Sequence, residues 1–246
     1  MKRIYHQTNS LIHKNIDLGS DKKVVFLSGL GLAIRQQREG FIRRFVLNQG
    51  VSYLALDYTK FTDNSSENEG FRIRESYDRT MDLMTVLPDK KIFLVGSCYG
   101  GLMALKIAER LPQKIAGVVA FSPPYEIKEF PWMEQADNFL EKRINALERK
   151  KAKKYMIEKM ILFRQMAMYA FRTLGKEQIK SSYMGPMSIF HGENDRLIPA
   201  ENSLAIQRKF KNPNSKVIVV PTTGHTLNTD FEMKEPIRIL KEYLKD

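Results

Sequence analysis

The sequence predicts an α/β fold: a mostly parallel central sheet flanked by helices, with a helical insertion. Three observations carry this. Short apolar runs alternate with longer amphipathic stretches, the rhythm of a parallel sheet covered on both faces. One run, Ile92-Phe93-Leu94-Val95, passes into a helical stretch through Gly96-Ser97-Cys98-Tyr99-Gly100, which demands a very sharp bend. The rhythm then breaks between Tyr125 and Met184, where long helical spacing replaces it.

Each element follows from its local pattern. Scattered apolar positions from Lys2 to Ile16 suit one or two antiparallel leading strands. Gly19-Ser20-Asp21-Lys22 is a turn, and Val24-Val25-Phe26-Leu27 is the first buried strand, ending in Ser28-Gly29-Leu30-Gly31. Gln36 to Gln49 reads as a helix, with Phe41, Ile42, Phe45 and Val46 at helical spacing and Gly50 as its stop. Val51 to Asp57 is the next strand; Asp57 opens a polar loop and reads as a loop-anchoring carboxylate. Arg74 to Leu87 is a helix with Tyr77, Met81 and Met84 on its apolar face, closed by Pro88-Asp89. After the bend come a helix to Arg110 and a strand, Ala116 to Phe121, stopped by Ser122-Pro123-Pro124. A long helical stretch from about Ala136 to Leu174 follows. Pro186 to Gly192 returns to strand, Glu201 to Lys211 is a helix, and Lys216 to Val220 is the last strand. Glu235 to Lys245 closes the chain as an amphipathic helix, with Pro236 in its first turn.

Composition bounds the setting. With 246 residues and 43% hydrophobic content, one domain with a large core is expected. The single cysteine excludes an intramolecular disulfide and fits a reducing cytosol. The basic start, Met1-Lys2-Arg3, is not followed by an apolar signal region, and no apolar run reaches membrane-spanning length, so a cytoplasmic location is expected. The net charge of +12 would suit nucleic acid, anionic lipid or an acidic partner. Yet zinc-finger spacing and RNA-binding aromatic motifs are both missing, so nucleic acid is not expected as a partner. Nothing in the sequence calls for a metal or another cofactor.

The bend decides its own frame. Centred on Cys98 it is flanked by Gly96 and Gly100, which have no Cβ to collide with the backbone; centred on Ser97 it would be flanked by Val95 and Tyr99. Cys98 is therefore the tip, at the N-terminus of the following helix. The plain alternative is a small buried hydrophobe, the usual fate of a free cysteine. The stretch resembles the nucleophile elbow of the α/β-hydrolase fold, with cysteine where most members carry serine, as in dienelactone hydrolases and polyester synthases. The resemblance implies a base in Gly224-His225 after the last strand and an acid at Asp195 in Gly192-Glu193-Asn194-Asp195, with Glu193 in reserve. Cys98, Asp195 and His225 stand in the nucleophile–acid–base order of that family. The resemblance also implies an oxyanion hole from the backbone N–H groups of Leu30 and Tyr99. Ser28 stands where many members have histidine, and the Ser28-Gly29 stretch by itself also reads as a plain glycine turn. His191 reads as a packed histidine at a strand end, and His6 and His13 lack any such context.

The family likeness implies a core of residues 1–124 and 185–246, with 125–184 as a helical cap. Between residues 141 and 180, twelve lysines and arginines face four acids. The same stretch carries an apolar stripe: Met156, Met160, Phe163, Ala167, Ala170 or Phe171, and Leu174. Packing onto the core accounts for most of the stripe. Trp132, Met160 and Phe163 are the candidate pocket residues. The basic face meets solvent or an acidic acyl carrier. The expected function is hydrolysis of a small-molecule carboxylic ester or thioester through an acyl-Cys98 intermediate. Two rivals remain: an acyltransferase using an acceptor other than water, and a non-catalytic binding module with a basic cap.

Overall fold

A computed structural model describes residues 12–29, 37–56, 69–88, 91–125, 132–174, 183–227 and 229–245. Seven strands lie in these residues: β1 (Ile12–Ile16), β2 (Lys22–Leu27), β3 (Ser52–Leu56), β4 (Lys91–Ser97), β5 (Ile115–Phe121), β6 (Met187–Gly192) and β7 (Ser215–Val220). They form one sheet in the order β1-β3-β2-β4-β5-β6-β7. Only β1 runs antiparallel, against β3; the other neighbours are parallel. One antiparallel leading strand is thus present; the expectation for residues before Ile12 lies outside the described residues, as do those for Leu30 and Asp57.

The central strands are apolar throughout because both faces are covered. Alternate side chains feed two cores. Val25 and Leu27 of β2 and Ile92 and Leu94 of β4 enter one; Val24, Phe26, Phe93 and Val95 enter the other. The second core is closed by α1 (Gln37–Asn48), through Ile42 and Val46, and by α7 (Asp230–Tyr243), through Met233, Ile239 and Leu240. The first is closed by α2 (Glu69–Val86), α3 (Tyr99–Arg110) and α6 (Ala200–Phe210). The helix pair α4 (Met133–Arg149) and α5 (Lys154–Leu174), between β5 and β6, packs on this same core.

Three boundaries differ from the sequence expectation, the first being α2, which begins at Glu69 rather than at Arg74. The long helical stretch is two helices, broken at Lys150–Lys153. Lys151 there takes a left-handed φ of 50°, which a continuing helix cannot accommodate. The stripe is correspondingly shorter: Ala167 and Ala170 are buried and Met160 and Phe163 partly so, but Met156 is 42% exposed. α7 starts five residues before the expected Glu235, so Pro236 lies inside the helix rather than in its first turn. The earlier start comes from a capping box. The Thr229 hydroxyl accepts the Glu232 N–H at 3.2 Å, and the Glu232 carboxylate accepts the Thr229 N–H at 2.7 Å.

Strand order fixes where a ligand can sit. The chain winds outward from β2 to β3 in one direction and from β4 to β7 in the other, so the winding reverses between β2 and β4. Crevices open beyond the carboxyl ends of parallel strands at such a reversal. Leu27 pairs with Gly96 there, so the Ser28-Gly29 segment and Cys98 leave the sheet side by side.

Candidate active site

Cys98 sits between β4 and α3 with φ 52° and ψ −118°, a conformation few L-residues adopt. Its neighbours enforce it. A Cβ at Gly96 would strike the Gly100 carbonyl, and one at Gly100 would strike the carbonyls of Leu27 and Ser28. The Cys98 N–H donates to the Phe121 carbonyl on β5 at 2.7 Å, and the Cys98 carbonyl accepts the Leu102 N–H at 3.0 Å. The bend is thereby locked on both sides. Cys98 is 6% exposed. Tyr99 supplies the first residue of α3, in the position expected of a helix-terminal amide donor. Gly29 runs close by: a side chain there would lie 3.4 Å from the Cys98 Cβ.

His225 follows β7 and stands between two partners. Its Nδ1 donates to Asp195 Oδ2 at 2.7 Å, and the ring lies close enough to Cys98 to feel the charge on its sulfur. With Nδ1–H committed to the carboxylate, Nε2 is the nitrogen left for the sulfur. Burial alone would push the imidazole down. The Cys98 charge and the hydrogen bond to Asp195 outweigh burial and raise the pKa to about 10.

Asp195 lies in the β6–α6 loop, buried. Its Oδ1 accepts the N–H groups of Leu197 at 2.9 Å and Ile198 at 3.0 Å. Its Oδ2 takes His225 and, at 3.2 Å, the Nε2 of His191. Burial would raise its carboxyl, but hydrogen bonds from His191 and His225 hold it well below the usual carboxylate range. His191 is fully buried, as expected for a packed histidine, and it also has a role the sequence did not reveal. Its Nε2 faces two acceptors, Asp195 Oδ2 and the Ile198 carbonyl at 2.7 Å, so Nε2 carries the proton. Nδ1 then accepts from the Ser203 hydroxyl at 2.6 Å. Glu193, the reserve acid, instead accepts the Thr222 N–H at 3.1 Å.

Arg38 is the residue that sequence reasoning missed. It is 1% exposed, on α1. One guanidinium nitrogen donates to Ser97 Oγ at 2.5 Å and Nε donates to the Leu227 carbonyl at 2.9 Å. The guanidinium also lies 4.4 Å above the Phe121 ring. Arg38 therefore ties together the residue before Cys98, the residue that accepts the Cys98 N–H, and the segment just after His225. Burial lowers its pKa to about 10, against the opposing pull of Cys98 and Glu232. No local pattern marks an arginine for burial; the partners come from three distant segments.

A cavity of about 360 Å³ opens beside His225. Met160 and Phe163 of α5 and Phe139 and Leu140 of α4 form its apolar wall. Trp132, the third expected pocket residue, does not line it: the indole is fully buried and donates to the Tyr125 carbonyl at 3.3 Å. Among the described residues no group of three or more His, Cys, Asp or Glu side chains could hold a metal ion, and no helix is long and apolar enough to cross a membrane.

Comparison with known proteins agrees with this architecture. No curated relative matches the chain by sequence. Among solved structures, the esterase Pf2001 of Pyrococcus furiosus is similar, with a TM-score of 0.69, 20% identity and coverage of 94% of this chain and 83% of that one. A bromoperoxidase from Bacillus anthracis gives 0.67 at 18% identity, covering 95% and 99%. The mouse alpha/beta hydrolase domain-containing protein 10 gives 0.65 at 15%, covering 91% and 89%. Identities this low speak for the fold alone. The family model described as alpha/beta hydrolase fold matches residues 22–167, more than half of the sequence. The sheet order, the bend at Cys98 and this match together make the chain a member of the alpha/beta hydrolase fold family.

Proposed function

We propose that the protein is a cytoplasmic hydrolase that cleaves a carboxylic ester or thioester through an acyl-Cys98 intermediate, with His225 as base and Asp195 as its orienting acid. The observation that carries this is the His225 ring, hydrogen-bonded to Asp195 at 2.7 Å and near enough to Cys98 for the sulfur's charge to act on it. An imidazole raised to about 10 remains protonated at neutral pH, which suits a resting thiolate–imidazolium pair. The thiolate attacks the carbonyl carbon, forming a C–S bond and an oxyanion. The N–H groups of Tyr99 and Leu30 receive that oxyanion. The C–O or C–S bond to the leaving group breaks, and the leaving group takes the proton from His225. Water then gives a proton to His225 and attacks the thioester, releasing the carboxylic acid and restoring the thiolate. Residues 125–184 act as the cap that roofs this chemistry. The basic surface of that cap is the part suited to an acidic acyl carrier.

Incubation with p-nitrophenyl butyrate and with butyryl-N-acetylcysteamine tests this by intact mass. An acyl adduct on Cys98 is expected. C98A should lower turnover by at least about a thousandfold, since removing a nucleophile leaves only binding and oxyanion contributions. Full turnover by C98A would sink the reading. A primary amine added during turnover measures transfer against hydrolysis, because a thioester hands its acyl group to any better-placed acceptor.

A further inference from the structure

The cavity beside His225 has a lopsided charge. Among the described residues, two arginines line it, Arg143 from α4 and Arg196 from the loop that carries Asp195, and no aspartate or glutamate does. Neither guanidinium is ion-paired with a carboxylate among the described residues. Arg143 is held at the wall, its guanidinium 5.7 Å from the centre of the Phe139 ring. Arg196 follows directly on Asp195 in the chain.

The other hollow of the helix pair shows the contrast. It measures about 600 Å³ and lies between α4 and α5, where Asp137 and Glu141 face Arg164 and Arg172. Arg164 bridges Asp137 at 2.6 Å and Glu141 at 3.4 Å. The helix pair thus neutralises its cations on that side and leaves Arg143 unmatched on the side of His225. Unmatched guanidiniums converging on an apolar cavity suit a carboxylate or a phosphate, which they bind by charge-assisted hydrogen bonds.

We propose that this cavity takes a substrate with an anionic group: Arg143 and Arg196 hold the charge, while Phe139, Met160 and Phe163 hold its apolar part. The proposal rests on the acyl-Cys98 reading for the chemistry, but not for the binding. The anion is either a terminal carboxylate on the acyl chain or a phosphate on the leaving thiol. Both present the same oxygens to the same pair of arginines.

Paired substrates separate the two sources. Monomethyl glutarate is compared with dimethyl glutarate, and butyryl-coenzyme A with butyryl-N-acetylcysteamine. The wild type should favour the anionic member of one pair by about tenfold in kcat/KM. R143Q/R196Q should bring that ratio close to one, and R143K/R196K should keep most of it. A preference in the first pair assigns the charge to the acyl chain; in the second, to the leaving group. Equal rates within both pairs, or a ratio unchanged in R143Q/R196Q, would overturn the proposal while leaving the acyl-enzyme intact. If no compound acylates Cys98, it is the acyl-Cys98 reading that fails, and protection then decides the anion site. Glutarate should slow iodoacetamide labelling of Cys98 in the wild type and not in R143Q/R196Q. Equal labelling with and without glutarate overturns the proposal on binding alone.

Discussion

The guanidinium of Arg38 is buried behind Ser97, and its electrostatic counterpart includes the Cys98 sulfur. A cation held this close stabilises the negative charge that the sulfur carries when it reacts. R38M should therefore slow alkylation of Cys98 by iodoacetamide about tenfold at pH 6, with R38K recovering most of the rate. Mass spectrometry against time reads it, and an unchanged rate in R38M would show that the cation has no influence on the sulfur. His225 offers a complementary reading. Its raised value depends on Cys98 and Asp195, so C98A should bring the imidazole down toward its ordinary 6.5, measured by NMR titration of the ring. A ring still near 10 in C98A would place the cause elsewhere.

At the scale of elements, the turn between β4 and α3 leaves no room for a single extra methyl group. G100A drives a Cβ into the carbonyls of Leu27 and Ser28, which belong to the neighbouring strand end and cannot rotate away. The expected loss is about 3 kcal/mol of stability, the upper range for overpacking, measured by urea denaturation. The α7 capping box is worth less. T229A should cost about 1 kcal/mol. These two elements also show what was legible in the sequence. The turn could be read outright because its constraint is local: glycine two residues either side of the tip is a steric requirement carried by five consecutive residues. The capping box was equally local, in Thr229-Asp230-Phe231-Glu232, but Pro236 drew the helix start too far downstream. The break in the helix pair has no comparable signature, because Lys151 is an ordinary residue in an uncommon conformation. Arg38 and the contact between His191 and Asp195 were not legible at all. Each depends on segments brought together only by the completed sheet.

For the whole molecule, the two shifted groups shape stability against pH. Asp195 is lowered in the folded state, so its contribution is present above the unfolded carboxylate range, near pH 4, and is lost as pH falls below it. His225 is raised, so its contribution is fully present below about 6.5 and is lost as pH rises through about 10. Stability should thus peak between these limits, and C98A should flatten the alkaline side. Equilibrium denaturation from about pH 2 to about pH 11 checks both limbs; an alkaline limb equally steep in C98A would rule out the sulfur as its cause.

The reversal of winding between β2 and β4 has a consequence in time as well as in space. Cys98 and the segment around Gly29 come from strands that neighbour each other early in the polypeptide, whereas Asp195 and His225 leave the ribosome long after them. Because synthesis runs from the amino end, a half-made polypeptide can present the bent sulfur with no imidazole to accept its proton. The constellation proposed around that sulfur is complete only once β7, which leads into His225, lies beside β6.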